Sequence, residues 1–401
     1  MNSQSGKLKV ESRSVGRRCA LPPACSAFRF PLSAFASPRR GITLIELLIT
    51  ITIIATLSAV FLGASRSAIE HANAARTKST IGKIHTLLME HWASYATRRV
   101  DVSSSVLQQI NSANANDTQK GQMLADARLL ATRELMKMEM PDRWSDVLRN
   151  VVPDSNPANM KFNSPLMLED HPVLAKSYLR RFYQAANLKN DGEVLRRNQG
   201  AECLYMIITL ATGDGEAVAQ FSPQDIGDTD GDGAPEFLDG WGRPIQFVRW
   251  PAGFVSDIQP IFDPNDAAKH IIQPVPDPLS LQRYYENDHD PFDHFRRDLP
   301  NVTFPPIGLY PGEMKNAIYS MRTRNAMSTP HSAFRLTPLI YSFGPDGLSD
   351  ILVDTGKVAR LDPYDAIYGT NDSELLATAR DNDGDGDNWI DNIHNHLQDG
   401  R

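Results

Sequence analysis

Cysteine is scarce: the 401 residues hold three, and two of them, Cys19 and Cys25, fall in the first 41 positions, leaving Cys203 alone in the rest. Beyond residue 41 an intramolecular disulfide is excluded, so this part of the chain must be held by its core or by bound metal. Also missing are Gly-x-Ser-x-Gly, His-Glu-x-x-His, a Walker loop and a Cys–His pairing, the usual marks of nucleophilic, zinc and nucleotide chemistry. Basic charge is short everywhere except at the start. Residues 1–41 carry eight Lys/Arg against Glu11 alone, which leaves 33 basic and 47 acidic residues for the remainder. Such an acidic body argues against a nucleic-acid surface.

A long run without Lys, Arg, Pro or Asp comes next. It covers 22 residues, Ile42 to Gly63, and at about 1.5 Å per residue spans roughly 33 Å, enough for a hydrocarbon core of about 30 Å. The run is too long for a removable secretory signal and lacks a closing Ala-x-Ala site. A buried soluble helix fits less well than a membrane span, because Arg-rich residues precede it, and those basic residues keep the N-terminus cytoplasmic and send the acidic body outward. Glu46 interrupts the apolar character. An ionisable group there is costly unless paired, and therefore suggests function.

The stretch Arg39-Arg40-Gly41-Ile42-Thr43-Leu44-Ile45-Glu46-Leu47-Leu48 resembles the class III signal of type IV prepilins and type II secretion pseudopilins. The resemblance implies cleavage between Gly41 and Ile42 by a prepilin peptidase, N-methylation of Ile42, and a role for Glu46 in matching subunits during filament assembly. Ile42 departs from the usual Phe. A new amine on Ile42 would lie four residues before Glu46, where the two charges can pair within one chain or between neighbours.

Past the span, Ile81, Ile84, Leu88, Trp92 and Tyr95 recur at helical spacing, which predicts one helix from Ile42 to about Arg98, roughly 85 Å long. The pilin resemblance implies the same long N-terminal helix. The expected fold is α+β and pilin-like, with that helix packed on a small antiparallel sheet. The expected divisions are a leader, 1–41; a filament-core span, 42–64; an amphipathic continuation, 65–100; a helical insertion, 101–220; and a β-rich region with Asp/Gly loops, 221–401. Helical patterns fall near 117–139, 172–188 and 199–212, and the best strands are 245–250 and 338–343. Segment 256–335, rich in Pro and Asp, reads as a long, partly ordered excursion.

Two acidic loops stand out. In 228–239, Asp228, Asp230, Asp232, Glu236 and Asp239 occupy positions 1, 3, 5, 9 and 12, with Gly233 at 6; carboxylates at alternating positions of such a loop converge on a hard cation, calcium above all. Asp381, Asp383, Asp385, Asp387 and Asp391 repeat the design with the last ligand displaced by one. Separately, Asp239-Gly240-Trp241-Gly242-Arg243-Pro244 and Ser342-Phe343-Gly344-Pro345-Asp346-Gly347 resemble two motifs of the major pseudopilin's β region. That resemblance implies calcium ligation by Asp346 and Asp350, with Asp387 or Asp391 folded back. The length departs from that of major pseudopilins. Asp288-His289-Asp290-Pro291-Phe292-Asp293-His294, like His394 and His396, reads as a solvated turn in preference to a transition-metal site.

The function expected is that of a structural subunit, not an enzyme: a single-pass inner-membrane protein with a periplasmic body. Its expected partners are prepilin peptidase, other pilin or pseudopilin subunits, the assembly platform and the bilayer, with calcium in its loops. A low-copy filament-tip or membrane-anchored binding protein is the alternative, and a tethered metal-dependent hydrolase a third reading.

Overall fold

The computed structural model describes residues 41–148, 165–186, 197–211, 216–254, 256, 258–259, 289–299, 302–312, 314–325, 335–353, 361–364, 376–378 and 392–396. The chain divides into two compact units, Met1–Leu62 and Gly63–Arg401. Helix α1, Leu44–Ser94, begins in the first and ends in the second. In the first unit Ile45, Leu48, Ile51, Ile54, Leu57 and Phe61 are all exposed, so apolar side chains cover every face. Thr50, Thr52 and Thr56 each return their hydroxyl to the carbonyl three residues back, at 2.8–2.9 Å. Such hydroxyls need no water, as a span in lipid requires.

In the second unit α1 buries one stripe. Ile81, Ile84, Leu88 and Trp92 pack into the core, as the spacing predicts. The helix stops at Ser94, four residues earlier than expected. There the Ser94 hydroxyl bonds the His91 carbonyl at 2.6 Å and the chain tightens into a turn that still buries Tyr95. The Tyr95 hydroxyl donates to Glu139, which also takes a forked Arg98 at 2.6 and 2.9 Å.

The described part of 101–220 is mainly helical: α2, Ser104–Ser112; α3, Asp117–Glu139; α4, Trp144–Val147; α5, Val173–Ala186; α6, Gln199–Ala211; and α7, Glu216–Ala219. Asn116 and Gln119 cap α3 reciprocally, side chain to backbone at 2.8 and 3.1 Å. Midway along α3, Glu134 accepts three backbone N–H bonds from Leu166, Met167 and Leu168 and so fixes the entry to α5. Short strands follow. β1, Ile226–Gly227, and β2, Glu236–Phe237, make one antiparallel pair; β3, Gln246–Val248, β4, Leu339–Ser342, and β5, Ile393–His394, make an antiparallel sheet in that order. Helix α6 lies on β2 and β3. Long apolar helix, several shorter helices and small antiparallel sheets together make the α+β architecture that was expected.

Three expectations need correction. Part of the Pro- and Asp-rich excursion belongs to the core: Phe292, Tyr310, Met314, and Ile318 and Met321 of α8, Lys315–Asn325, are all buried. The Asp288–His294 segment is not a solvated turn where it is described. Asp290 and Asp298 clasp the buried Arg133 at 3.1 and 2.8 Å, and Asp293 accepts the backbone N–H of Arg297. His394 and His396 are likewise buried, edge-on to Phe254. Burial holds their imidazoles down at about 4 and about 3, so both are neutral packing residues near neutral pH.

One backbone contact ties the loop before β3 to α1. Gly240 donates its N–H to the Thr77 hydroxyl at 2.8 Å, and a methyl group at Gly240 would meet the Asn73 carbonyl oxygen at 2.3 Å. Only glycine permits this approach. Gly240→Ala is expected to cost about 1–3 kcal/mol of stability, read as a lowered unfolding temperature of the full chain in detergent; an unchanged temperature would mean that α1 can shift at no cost.

Candidate processing segment and metal centre

Thr43 and Glu46 are hydrogen-bonded to each other at the start of α1. The Glu46 carboxylate accepts the Thr43 backbone N–H at 2.9 Å and its hydroxyl at 3.0 Å, while the Glu46 N–H points to the Thr43 oxygen at 3.3 Å. This is a capping box at the start of α1, with the carboxylate near the positive end of the helix. Sequence reasoning identified Glu46 but not Thr43 as its partner, although the Thr-x-x-Glu spacing was there to be read. Gly41 and Ile42 precede the cap, and both are exposed.

The acidic loop between β1 and β2 is the second site. Gly231 and Gly233 adopt φ of 73° and 97°, a left-handed backbone that curls the loop around its carboxylates. Asp228 accepts the N–H groups of Gly231, Asp232 and Gly233, and Glu236 accepts those of Thr229 and Asn198. One carboxylate oxygen each of Asp228, Asp230 and Asp232 lie within 4.8 Å of one another, as do those of Glu202, Asp230 and Glu236. Two oxygens on opposite sides of a calcium ion stand about 4.8 Å apart, so any two oxygens of a trio are close enough to bridge one hard cation.

Glu202 was missed by the sequence reading. It is the one acid on the apolar helix α6, and α6 lies over β2, which carries Glu236. Its signal was an acid amid Ala201, Cys203 and Leu204, all buried. Gln199 and Glu202, one turn apart, both meet Trp144: the first takes its backbone N–H at 3.3 Å, the second its indole N–H. The other Glu202 oxygen, Oε1, and Asp232 Oδ2 are buried with no hydrogen-bond donor among the described residues.

Crowding shows in the protonation of the cluster. Burial, reinforced by the neighbouring carboxylates, pushes Asp232 up to about 6 and Glu236 up to about 7, and raises Asp230 and, far more, Glu202. A divalent cation among these carboxylates would favour their ionised forms and oppose the upward shifts.

The remaining sequence candidates sit elsewhere. Asp239 closes the loop instead of joining the cluster: Oδ1 accepts the N–H groups of Trp241 and Arg243, and Oδ2 accepts the Ser342 hydroxyl at 2.6 Å. Arg243 bonds the Gly344 carbonyl at 2.7 Å. The two motifs that resemble the β region thus meet through Asp239, Arg243 and Ser342. Asp346 accepts the Leu348 N–H, and Asp350 is buried with φ of 41°. Among the described residues no trio of metal-capable groups includes Asp239, Asp346 or Asp350. Asp381, Asp383, Asp385, Asp387 and Asp391 lie outside the described residues.

Comparison with known proteins matches residues 37–62 to the family described as the prokaryotic N-terminal methylation motif. Comparisons with curated proteins and with solved structures give no match. The motif, followed by one helix long and apolar enough to cross a membrane, is a type IV pilin-like signal. The N-terminal segment is therefore that of a type IV pilin-like prepilin-peptidase substrate, and among the described residues one helix is long and apolar enough to span a membrane.

If Asp239 is a latch and not a ligand, Asp239→Ala strands three donors and is expected to cost about 3 kcal/mol, equally with calcium and with chelator. Thermal unfolding in both conditions checks this; a loss confined to the calcium condition would return Asp239 to the ligand set.

Proposed function

We propose that this protein is a structural pseudopilin-like subunit of a type II secretion or type IV pilus-like machine. The observation that carries the reading is the methylation motif at 37–62, with Gly41 and Ile42 exposed directly before a capped apolar helix. In this reading the basic leader stays in the cytoplasm, the span sits in a bacterial inner membrane and the acidic body is periplasmic. After cleavage behind Gly41, Ile42 is methylated and the apolar faces of 42–62 pack against other subunits on an assembly platform. The work is mechanical, and no residue is assigned a catalytic role. Calcium in the 228–239 loop stiffens a body that has no disulfide.

Glu46 then has two successive roles. In the uncut chain it caps its own helix through Thr43. In the filament it meets the Ile42 ammonium of a neighbour, which removes an unpaired charge from the apolar interior. Glu46→Leu is therefore expected to be cut normally by prepilin peptidase and to enter filaments at least about tenfold less often, a loss of about 1.4 kcal/mol or more in assembly. Quantifying processed subunit in sheared filaments against membranes tests this, and normal incorporation of the variant would refute the pairing.

A further inference from the structure

Five carboxylates converge from two parts of the chain that sequence does not join. Asp228, Asp230, Asp232 and Glu236 come from the loop and β2, and Glu202 from α6. A cluster of acids on a surface is common and means little. Here two of the acids are effectively out of water: Glu202 is 1% and Asp232 0% exposed. Each also keeps one oxygen without a donor among the described residues.

Elsewhere the same body answers its buried carboxylates with guanidinium. Arg249 reaches Asp146 at 2.7 Å, Arg133 reaches Asp298 at 2.8 Å, and Arg297 holds Asp126. Around Glu202 and Asp232 the N–H donors among the described residues are an indole and a backbone amide, from Trp144 and Ala234, and the two carboxyls stand within hydrogen-bonding reach of each other. An ionised pair so placed repels across a low-dielectric space. A neutral arrangement would need shared protons.

We infer that Glu202 is a ligand supplied across the fold to a calcium ion in the 228–236 loop, so that the ion fastens helix α6 to the β1–β2 loop. The inference rests on the proposed calcium role of that loop and adds its closing ligand, while removing Asp239 from the set. The Glu202, Asp230 and Glu236 oxygens lie within 4.8 Å of one another, and Asp230 also belongs to the trio with Asp228 and Asp232. Asp230 is thus common to both halves of one oxygen-only site, the chemistry that selects a hard divalent cation of calcium's size and coordination number. Trp144 orients Glu202 by holding its other oxygen.

The test uses the full chain in detergent, stripped with chelator and titrated with calcium by calorimetry, with thermal unfolding in parallel. The unmodified chain is expected to bind calcium saturably and to unfold at a higher temperature when loaded. Glu202→Gln keeps the shape and the acceptor for Trp144, and its amide can donate to the Asp232 oxygen that the carboxylate repels. It is expected to weaken calcium at least about tenfold and, in chelator, to unfold at a higher temperature than the unmodified chain. A purely structural glutamate would give the reverse, unchanged calcium affinity and a less stable metal-free form.

No calcium binding by the unmodified chain would overturn the loop reading and this inference together. Calcium binding weakened by Asp230→Asn but not by Glu202→Gln would overturn the inference alone, and binding that survives both would place the ion elsewhere. Should Glu202→Gln not fold, terbium in place of calcium serves on the unmodified chain. Its luminescence, excited through tryptophan, is expected to appear, to be displaced by calcium and to fall in Trp144→Phe; luminescence indifferent to Trp144 would overturn the assignment.

Discussion

From Leu44 to Leu62 α1 exposes apolar side chains on every face, whereas from Thr77 to Trp92 it buries a single stripe. A helix patterned in this way has to meet two solvents, and the rest of the chain follows from that constraint. The first part satisfies its own polar groups, through the Thr43–Glu46 cap and through threonine hydroxyls turned back on the backbone. The second part is held by specific polar contacts as well as by its stripe. Arg76 reaches Asp225, Thr77 receives Gly240, His85 meets Asn395, and Tyr95 reaches Glu139. These contacts arrive from segments far apart in sequence, so the second part of α1 is the element around which that unit is organised.

Lacking disulfides, the body relies on buried charge to an unusual degree. Arg133, Arg249 and Arg297 each engage carboxylates with little access to water. Such pairs add little net stability, but losing one partner is expensive, so they favour one packing over its alternatives. The pair Glu202 and Asp232 is the exception: among the described residues each keeps a buried carboxylate oxygen that no donor reaches. A divalent ion would complete there the pattern that arginine completes elsewhere.

Much of this was legible in the sequence because it depends on short-range periodicity. The apolar run, the stripe from Ile81 to Tyr95, helix α3 and strands β3 and β4 all follow from local patterns. The convergence of Asp228, Asp230, Asp232 and Glu236 follows from alternation along one loop. What escaped was long-range. Glu202 joins the cluster only because α6 lies over β2, and Asp239 leaves it only because Ser342, about a hundred residues on, offers a hydroxyl at 2.6 Å. The Asp288–His294 segment looked like a polar turn because nothing nearby announces Arg133 as the partner of Asp290. In each case the deciding group lies on a different element, and spacing along the chain carries no record of it.

The most direct test of the whole account is the intact mass and N-terminal sequence of the protein produced together with a prepilin peptidase. The account requires a mature chain that begins at Ile42 and carries one added methyl group on its amine. A chain left uncut, or cut beyond residue 62, would contradict it and leave an anchored or secreted acidic body without a pilin-like role.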